Sequence, residues 1–383
     1  MFIDRYYKNL DTYLKPNKVL VIYGPRQSGK TTLLKQFLAA TGLRYKLDSG
    51  DNLRTREILG SQDFEKITQY AEGYELIAID EAQRIPNIGI GLKILADQVA
   101  NLKIIATGSS SFELAGQIGE PLTGRKRTLT LFPFSQGELL SLYNRQELKT
   151  ALNSFLILGS YPEIAVAASK TDKAALLNEL VNSYLLKDIL GLEKIKNSKL
   201  LIDLLRLLAF QIGNEVSLSE LGGRLGIDYK TVARYLDLLE KSFVIFELRG
   251  YSRNLRNEIS RKSKYFFYDN GVRNAVISNI NDMELRDDCG KLWENFLVSE
   301  RLKAQSCSEM LVNNYFWRTW TQKEIDWVEE RSGKLFGYEF KFSDAAKVKP
   351  PKDFLKTYPE AQVSVISPGN YLDFLLLPEN SSA

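Results

Sequence analysis

Residues 24–32 read Gly24-Pro25-Arg26-Gln27-Ser28-Gly29-Lys30-Thr31-Thr32, and no other segment constrains the chain as strongly. An apolar, β-branched run at 19–23 precedes them, and the helix-forming LLKQFLAA follows. Strand, glycine-rich loop and helix in this order make a phosphate cradle: loop N–H groups point inward, glycine permits close approach, and the helix presents its positive end. In that reading Lys30 reaches the β- and γ-phosphates and the Thr31 hydroxyl ligates magnesium, so the expected cofactors are ATP and Mg²⁺.

Further strand candidates at 76–80, 103–107 and 128–132 alternate with helix-like segments, which predicts a parallel sheet covered by helices on both faces. The run Leu76-Ile77-Ala78-Ile79 ends in Asp80 and Glu81. Asp80 is placed to hold magnesium, and Glu81 to polarise the attacking water as general base. The third strand ends in Thr107-Gly108-Ser109, where Ser109, or failing it Thr107, would sense the γ-phosphate. Arg125, or alternatively Arg127, is the candidate arginine finger, acting on a neighbouring subunit; the bland alternative is a basic loop.

In sequence order, GPRQSGKTT, IDEAQRIP, TGSSS, GRKRTLTLFPFSQGE and GSYPE resemble a widespread group of prokaryotic AAA-type ATPases. Gln83 also fits that pattern. The resemblance runs through nearly the whole chain. It implies a nucleotide-driven regulator whose C-terminal half is a domain of unknown function with a restriction-endonuclease-like core.

The remaining sequence divides by pattern. Leucines at three- and four-residue spacing in 147–158, 172–191 and 198–211 predict helices. Ser217 to Ile227 reads as a capped helix and turn, Asp228 opens a second helix, and 243–248 begins a strand, an order similar to a winged helix-turn-helix. Tyr229, Lys230, Arg234 and Tyr235 are expected to face outward on the second helix. Arg249, Arg253, Arg256, Arg261, Lys262 and Lys264, with Tyr251 among them, form a local basic run at 249–264 suited to phosphate contact. Such a module serves equally as a lid or a protein dock.

Asp326 precedes Glu339 by 13 positions, and Lys341 follows two further on. Alternate strand residues share a face, so Glu339 and Lys341 point together, with Asp326 on the adjacent strand. This matches the D…ExK core of PD-(D/E)XK nucleases, with Ile325 where the name has proline. Asp326 and Glu339 would bind magnesium, Lys341 would orient water, and Glu294 adds a further acid. A plain strand ion pair would also place Glu339 and Lys341 together, but the triad, the preceding strands and the resemblance agree on the nuclease-like fold.

The expected architecture is α/β: a P-loop αβα ATPase core (1–145), a helical lid (146–196), a winged helix-turn-helix (197–262) and a nuclease-like domain (263–383). The expected function is an ATP-binding and ATP-hydrolysing AAA-type regulator whose nucleotide state controls DNA binding or cleavage by its C-terminal half. The alternative is a nucleotide-switched protein dock with an inactive nuclease-like domain. Candidate partners are DNA, through the winged helix and 249–264, a protein, and further copies of the chain. Lysine and arginine exceed acids by 51 to 47, too little to argue nucleic acid by itself. The chain has no histidine, which excludes imidazole bases and Cys/His zinc sites. Cys289 and Cys307 are expected as free thiols. No apolar run has membrane-spanning length, and a cytoplasmic location is expected.

Overall fold

The computed structural model describes residues 3–109, 121–185, 198–252, 263–319, 321–343 and 352–376. Ser110 and Ser111, the end of the 172–191 helix candidate, and Arg253, Arg256, Arg261 and Lys262 lie outside these residues.

The N-terminal strands are β1 (Val19–Tyr23), β2 (Tyr45–Ser49), β3 (Leu76–Asp80), β4 (Lys103–Gly108) and β5 (Lys126–Thr130). All pair in parallel, in the order β2-β3-β4-β1-β5. β5 starts two residues before the expected strand, because its register with β1 sets Lys126 against Val19. Around the sheet lie α1 (Lys30–Ala40), α2 (Leu53–Leu59), α3 (Phe64–Tyr70) and α4 (Ile88–Gln98). Alternate β1 residues serve opposite faces: Val19 and Val21 pack with Leu92 and Leu95 of α4, whereas Leu20 and Ile22 pack with Leu34 and Phe37 of α1. β4 separates the P-loop strand from β3, so its C-terminal end sits between Lys30 and Asp80.

Short helices follow: α5 (Gln136–Leu139), α6 (Arg145–Thr150), α7 (Leu152–Leu158), α8 (Pro162–Val166), α9 (Lys170–Glu179) and α10 (Ser198–Phe210). Ser135 and Asn144 form complete capping boxes with Glu138 and Glu147. β6 (Glu215–Val216) leads into α11 (Leu218–Leu225), capped by Ser217, and α12 (Tyr229–Lys241), capped by Asp228. β7 (Ile245–Gly250) and β8 (Ser263–Phe267) form an antiparallel ribbon. α13 (Asn270–Val276), α14 (Cys289–Cys307), β9 (Asn313–Arg318), β10 (Glu324–Arg331), β11 (Lys334–Phe340), α15 (Lys352–Thr357), β12 (Gln362–Ile366) and α16 (Tyr371–Leu375) complete the order.

The later strands form one seven-stranded sheet, β12-β11-β10-β9-β7-β8-β6, closed in its middle by parallel pairing of Arg249 and Gly250 with Tyr315 and Phe316. A border at 262/263 therefore cuts a hydrogen-bonded ribbon. One apolar core runs from Leu152 and Leu204 through Leu239 and Phe266 to Trp327 and Tyr371.

Three expectations about the basic surface fail on burial. Tyr235 is 4% exposed, because the helical period puts it beside Val232, Leu236 and Leu239 rather than outward. Tyr251 is buried against Tyr315 and Tyr358. Lys264 is buried at 2% exposure and holds carboxylates. Tyr229, Lys230 and Arg234 are exposed. Both cysteines are free, as expected.

Burial, then Glu247 and Asp237, pushes the Glu240 carboxyl up to about 7, with Arg249 opposing. A folded-state pKa above the ordinary 4.5 means the native state holds the proton longer, so this stabilisation is complete below 4.5 and lost as pH rises through about 7. Denaturant melts across that window should show stability falling with pH, and Glu240→Gln should flatten the slope.

Candidate functional site

The P-loop closes between β1 and α1. Gly24 has φ 150°, and a Cβ there would sit 2.2 Å from the Leu131 carbonyl oxygen. Gly29, φ 93°, caps α1 in a left-handed conformation. Arg26 and Gln27 lie on the loop's outer side, while Pro25, Ser28 and Lys30 are buried and Thr31 and Thr32 open the first turn of α1. The Lys30 Nζ donates to the Gly24 and Pro25 carbonyls at 2.8 and 2.7 Å. Thr31 Oγ1 donates to Asp80 Oδ2 at 2.9 Å, and Thr107 Oγ1 donates to Asp80 Oδ1. Glu81 has φ 50°. Its N–H donates to Thr107 Oγ1 at 3.3 Å. Gln83 Nε2 bridges Glu81 Oε2, at 2.5 Å, to Ser109 Oγ, at 3.2 Å. The fold thus gathers Lys30, Thr31, Asp80, Glu81, Gln83, Thr107 and Ser109 at one sheet end.

Arg125 and Arg127 are not in that group. They flank the start of β5, paired with Val19, whereas the P-loop leaves the other end of β1. Four residues of strand separate the ends, roughly 13 Å. Arg125 Nε donates to Asp97 Oδ1 at 2.6 Å; Arg127 Nη2 donates to Glu309 Oε1 at 2.7 Å and its guanidinium covers Tyr13. Neither reaches the phosphate cradle of its own chain.

A second cluster forms on the seven-stranded sheet. Register between β10 and β11 sets Trp327 against Tyr338, which brings the preceding Asp326 beside Glu339. The Phe340 N–H donates to Asp326 Oδ2 at 2.7 Å, and Lys341 Nζ donates to Glu339 Oε1 at 2.7 Å. Glu294 arrives from α14. Carboxylate oxygens of Glu294, Glu324 and Asp326 lie within 4.8 Å of one another, so the tight trio contains Glu324 where Glu339 was expected. Glu339 is held back by Lys341, and its other oxygen, Oε2, is buried without a hydrogen-bond partner among the described residues. Lys264 Nζ donates to Glu294 Oε1 at 3.1 Å and to Glu324 Oε1. Burial, then Glu294 and Glu339, holds the Asp326 carboxyl well above the ordinary range. Burial alone lowers Lys264, but Glu294, Glu324 and Asp326 outweigh it and raise it.

Glu324 was legible, two positions before Asp326 on the same strand face. Lys264 was not: nothing local separates it from the basic run.

Three family descriptions match the chain. Residues 16–140 match the AAA domain, and residues 149–284 and 289–374 match domains of unknown function, DUF8612 and DUF4143. The N-terminal third is thus similar to AAA domains, in keeping with its P-loop. An uncharacterized protein of Mycobacterium tuberculosis is 27% identical over 358 residues, 92% of this chain and 77% of the relative. One of Haemophilus influenzae is 26% identical over 363 residues, 88% and 86% respectively. Among solved structures, the Walker-type ATPase of Pyrococcus abyssi aligns with 72% of this chain and 96% of its own at 17% identity, TM-score 0.49. No helix among the described residues is long and apolar enough to cross a membrane.

Removing Lys264 leaves Glu294 and Glu324 facing each other without their cation. Lys264→Met should cost roughly 3–5 kcal/mol at pH 8, the range for breaking a buried pair. The loss should shrink as pH falls, because burial raises the Glu294 carboxyl and a protonated Glu294 no longer needs the cation; urea melts across the pH range test this.

Proposed function

We propose that the chain is an ATP-hydrolysing regulator of the AAA type whose nucleotide state controls DNA binding or cleavage by its C-terminal half. One observation carries the link. α14 is a single helix that bears Glu294 of the acidic cluster near its start and, within about three turns of it, Glu300 and Lys303, which bond the segment following β5. Glu300 Oε2 accepts the Gln136 N–H at 2.6 Å. Lys303 Nζ donates to the Phe134 carbonyl and Ser160 Oγ, both at 3.2 Å, and to Glu300 Oε1 at 2.6 Å. These are the LFPFSQGE and GSYPE segments of the ATPase side.

At the P-loop the residues fit ATP with magnesium, since the Thr31 hydroxyl and an Asp80 oxygen already converge and would hold the ion. When bound, magnesium neutralises charge on the phosphates. Lys30 exchanges the Gly24 and Pro25 carbonyls for β- and γ-phosphate oxygens. Glu81, oriented by Gln83, accepts the proton of the attacking water, and Ser109 contacts the γ-phosphate. Arg125, or Arg127, would serve the site of a second copy.

In the C-terminal half, Glu294, Glu324, Asp326 and Glu339 face Lys264 and Lys341, and Arg318 pairs with Glu324 at 3.6 Å. The close trio of Glu294, Glu324 and Asp326, with Glu339 Oε2 unpartnered among the described residues, fits a divalent cation among oxygen ligands, as a PD-(D/E)XK-like site requires. Lys341 would then orient water. The α11–α12 pair and β7–β8 ribbon read as a winged helix, offering Tyr229, Lys230 and Arg234 to DNA together with the basic residues between the two strands. The second reading, a nucleotide-switched protein dock, draws on Lys264: a lysine already bridging Glu294 and Glu324 supplies part of the compensation a metal would give.

Lys30→Ala should abolish ATP binding by calorimetry, and Glu81→Gln should retain ATP while turnover falls roughly 10²- to 10⁴-fold. Unchanged turnover in Glu81→Gln removes Glu81 as base. In a Lys30→Ala background, manganese should raise the thermal midpoint and Asp326→Ala should abolish that rise. Retention of the shift favours the dock. ATPase assays with duplex DNA and magnesium, read alongside DNA integrity, separate control of cleavage from control of binding.

A further inference from the structure

Lys264 is more deeply buried than Glu294, Glu324 or Lys341 of the same cluster. Strand pairing fixes where it stands. β8 runs between β7 and β6, and Lys264 lies opposite Leu248 on one side and Glu215 on the other. Its Nζ is 5.2 Å from the centre of the Phe316 ring. An ammonium so deeply buried needs carboxylates around it. The two that accept from it, Glu294 and Glu324, belong to the trio whose oxygens lie within 4.8 Å of one another.

The cluster's oxygens divide into those already engaged and those left over. Glu324 Oε1 accepts from Lys264, and Oε2 faces Arg318 Nε at 3.6 Å. Glu294 Oε1 accepts from Lys264 at 3.1 Å. Glu294 Oε2 lies against the turn at Gly213, φ 75°, where a Cβ would come within 2.8 Å of it. On the other side, Asp326 Oδ2 accepts the Phe340 N–H and Glu339 Oε1 accepts from Lys341. Glu339 Oε2 is buried without a hydrogen-bond partner among the described residues. Lys264 thus occupies the Glu294–Glu324 side, and the side left for an ion is that of Asp326 and Glu339.

We infer that the Lys264 ammonium holds, between Glu294 and Glu324, a position that a divalent cation would otherwise fill, so the cluster takes one ion fewer than Glu294, Glu324, Asp326 and Glu339 could hold. Two-metal sites set their ions roughly 3.5–4 Å apart. Here a compact point charge with three donors takes one of the two places. The inference rests on the reading of this cluster as a PD-(D/E)XK-like metal site. It adds that the site holds a single ion, and that the built-in cation comes from β8, one strand of the ribbon read as a wing.

Manganese titration by calorimetry on the full chain, in the Lys30→Ala background without nucleotide, counts the ions. The parent should take one ion, lost in Asp326→Ala. Lys264→Met and Lys264→Gln should each take two. The glutamine variant is included because its amide can still donate to Glu324, whereas Lys264→Met loses stability. Manganese should raise the thermal midpoint of both by more than it raises that of the parent, since the second ion replaces the missing cation. Lys264→Arg keeps the charge and should keep the count at one. Adding Glu324→Gln to Lys264→Met removes a ligand of the second ion and should return the count to one. An unchanged count and midpoint response in Lys264→Met and Lys264→Gln overturn the inference and leave the metal reading intact, and so do two ions in Lys264→Arg. One ion in these two variants and none in the parent uphold the inference and remove the metal reading of the unaltered cluster. No Asp326-dependent ion in any of them overturns both.

Discussion

Glu300, Arg301 and Lys303 are buried within one turn of a single helix, and a buried charge must find its partner or cost several kcal/mol. That requirement fixes α14 against its neighbours on two sides. Arg301 meets Glu329 of β10 through Nε at 2.6 Å and Nη2 at 3.0 Å. Glu329 also accepts from Trp327 and Gln305, at 3.0 and 2.7 Å, so the carboxylate is fully used. Burial works against its charge, yet the Arg301 bonds outweigh burial and hold its pKa below the ordinary range. Glu300 and Lys303 make the matching contacts to residues 134–136 and 160. Displacing α14 from the β5-to-α5 segment would strand these charges.

The same requirement orders the interior around residue 160. Asp269 is buried beneath the GSYPE segment and accepts the Ser160 N–H at 2.8 Å. A Cβ on Gly159 would lie 1.9 Å from its Oδ1, so that position needs glycine for the close approach as well as for its φ of 72°. Burial raises the Asp269 carboxyl, with Lys303 opposing. A second contact reaches the cradle itself: Tyr23, next to Gly24, packs on Phe243 between α12 and β7, with ring centroids 5.4 Å apart. The P-loop and the helix pair thus share an aromatic cluster with Phe132 and Tyr268.

What the sequence revealed follows from how local each signal is. The P-loop, the Asp80–Glu81 strand end and the Ser217 and Asp228 caps lie within a few residues, and they were readable. Asp326 and Glu339 were readable as strand neighbours because side-chain alternation has a fixed period. Lys264 and Tyr251 looked like a nucleic-acid surface because charge counts carry no information on burial, and their burial comes from β9, β10 and α14, far along the chain. Tyr235 was misread although its own helix held the answer, in its spacing from Val232 and Leu239. Arg5 gave no local signal: its burial arises where the N-terminal segment meets Phe132 and Phe134. The join between β7 and β9 was equally hidden, since two residues of parallel pairing leave no pattern.

The central claim is that nucleotide at the P-loop is felt along α14 as far as Glu294. Amide hydrogen exchange of the Glu81→Gln protein, with and without ATP and magnesium, reads this directly. The account predicts altered protection in three places: the P-loop, residues 134–138, and α14 from Lys303 back to Glu294. Altered protection confined to residues before 134, with α14 unchanged, would contradict it.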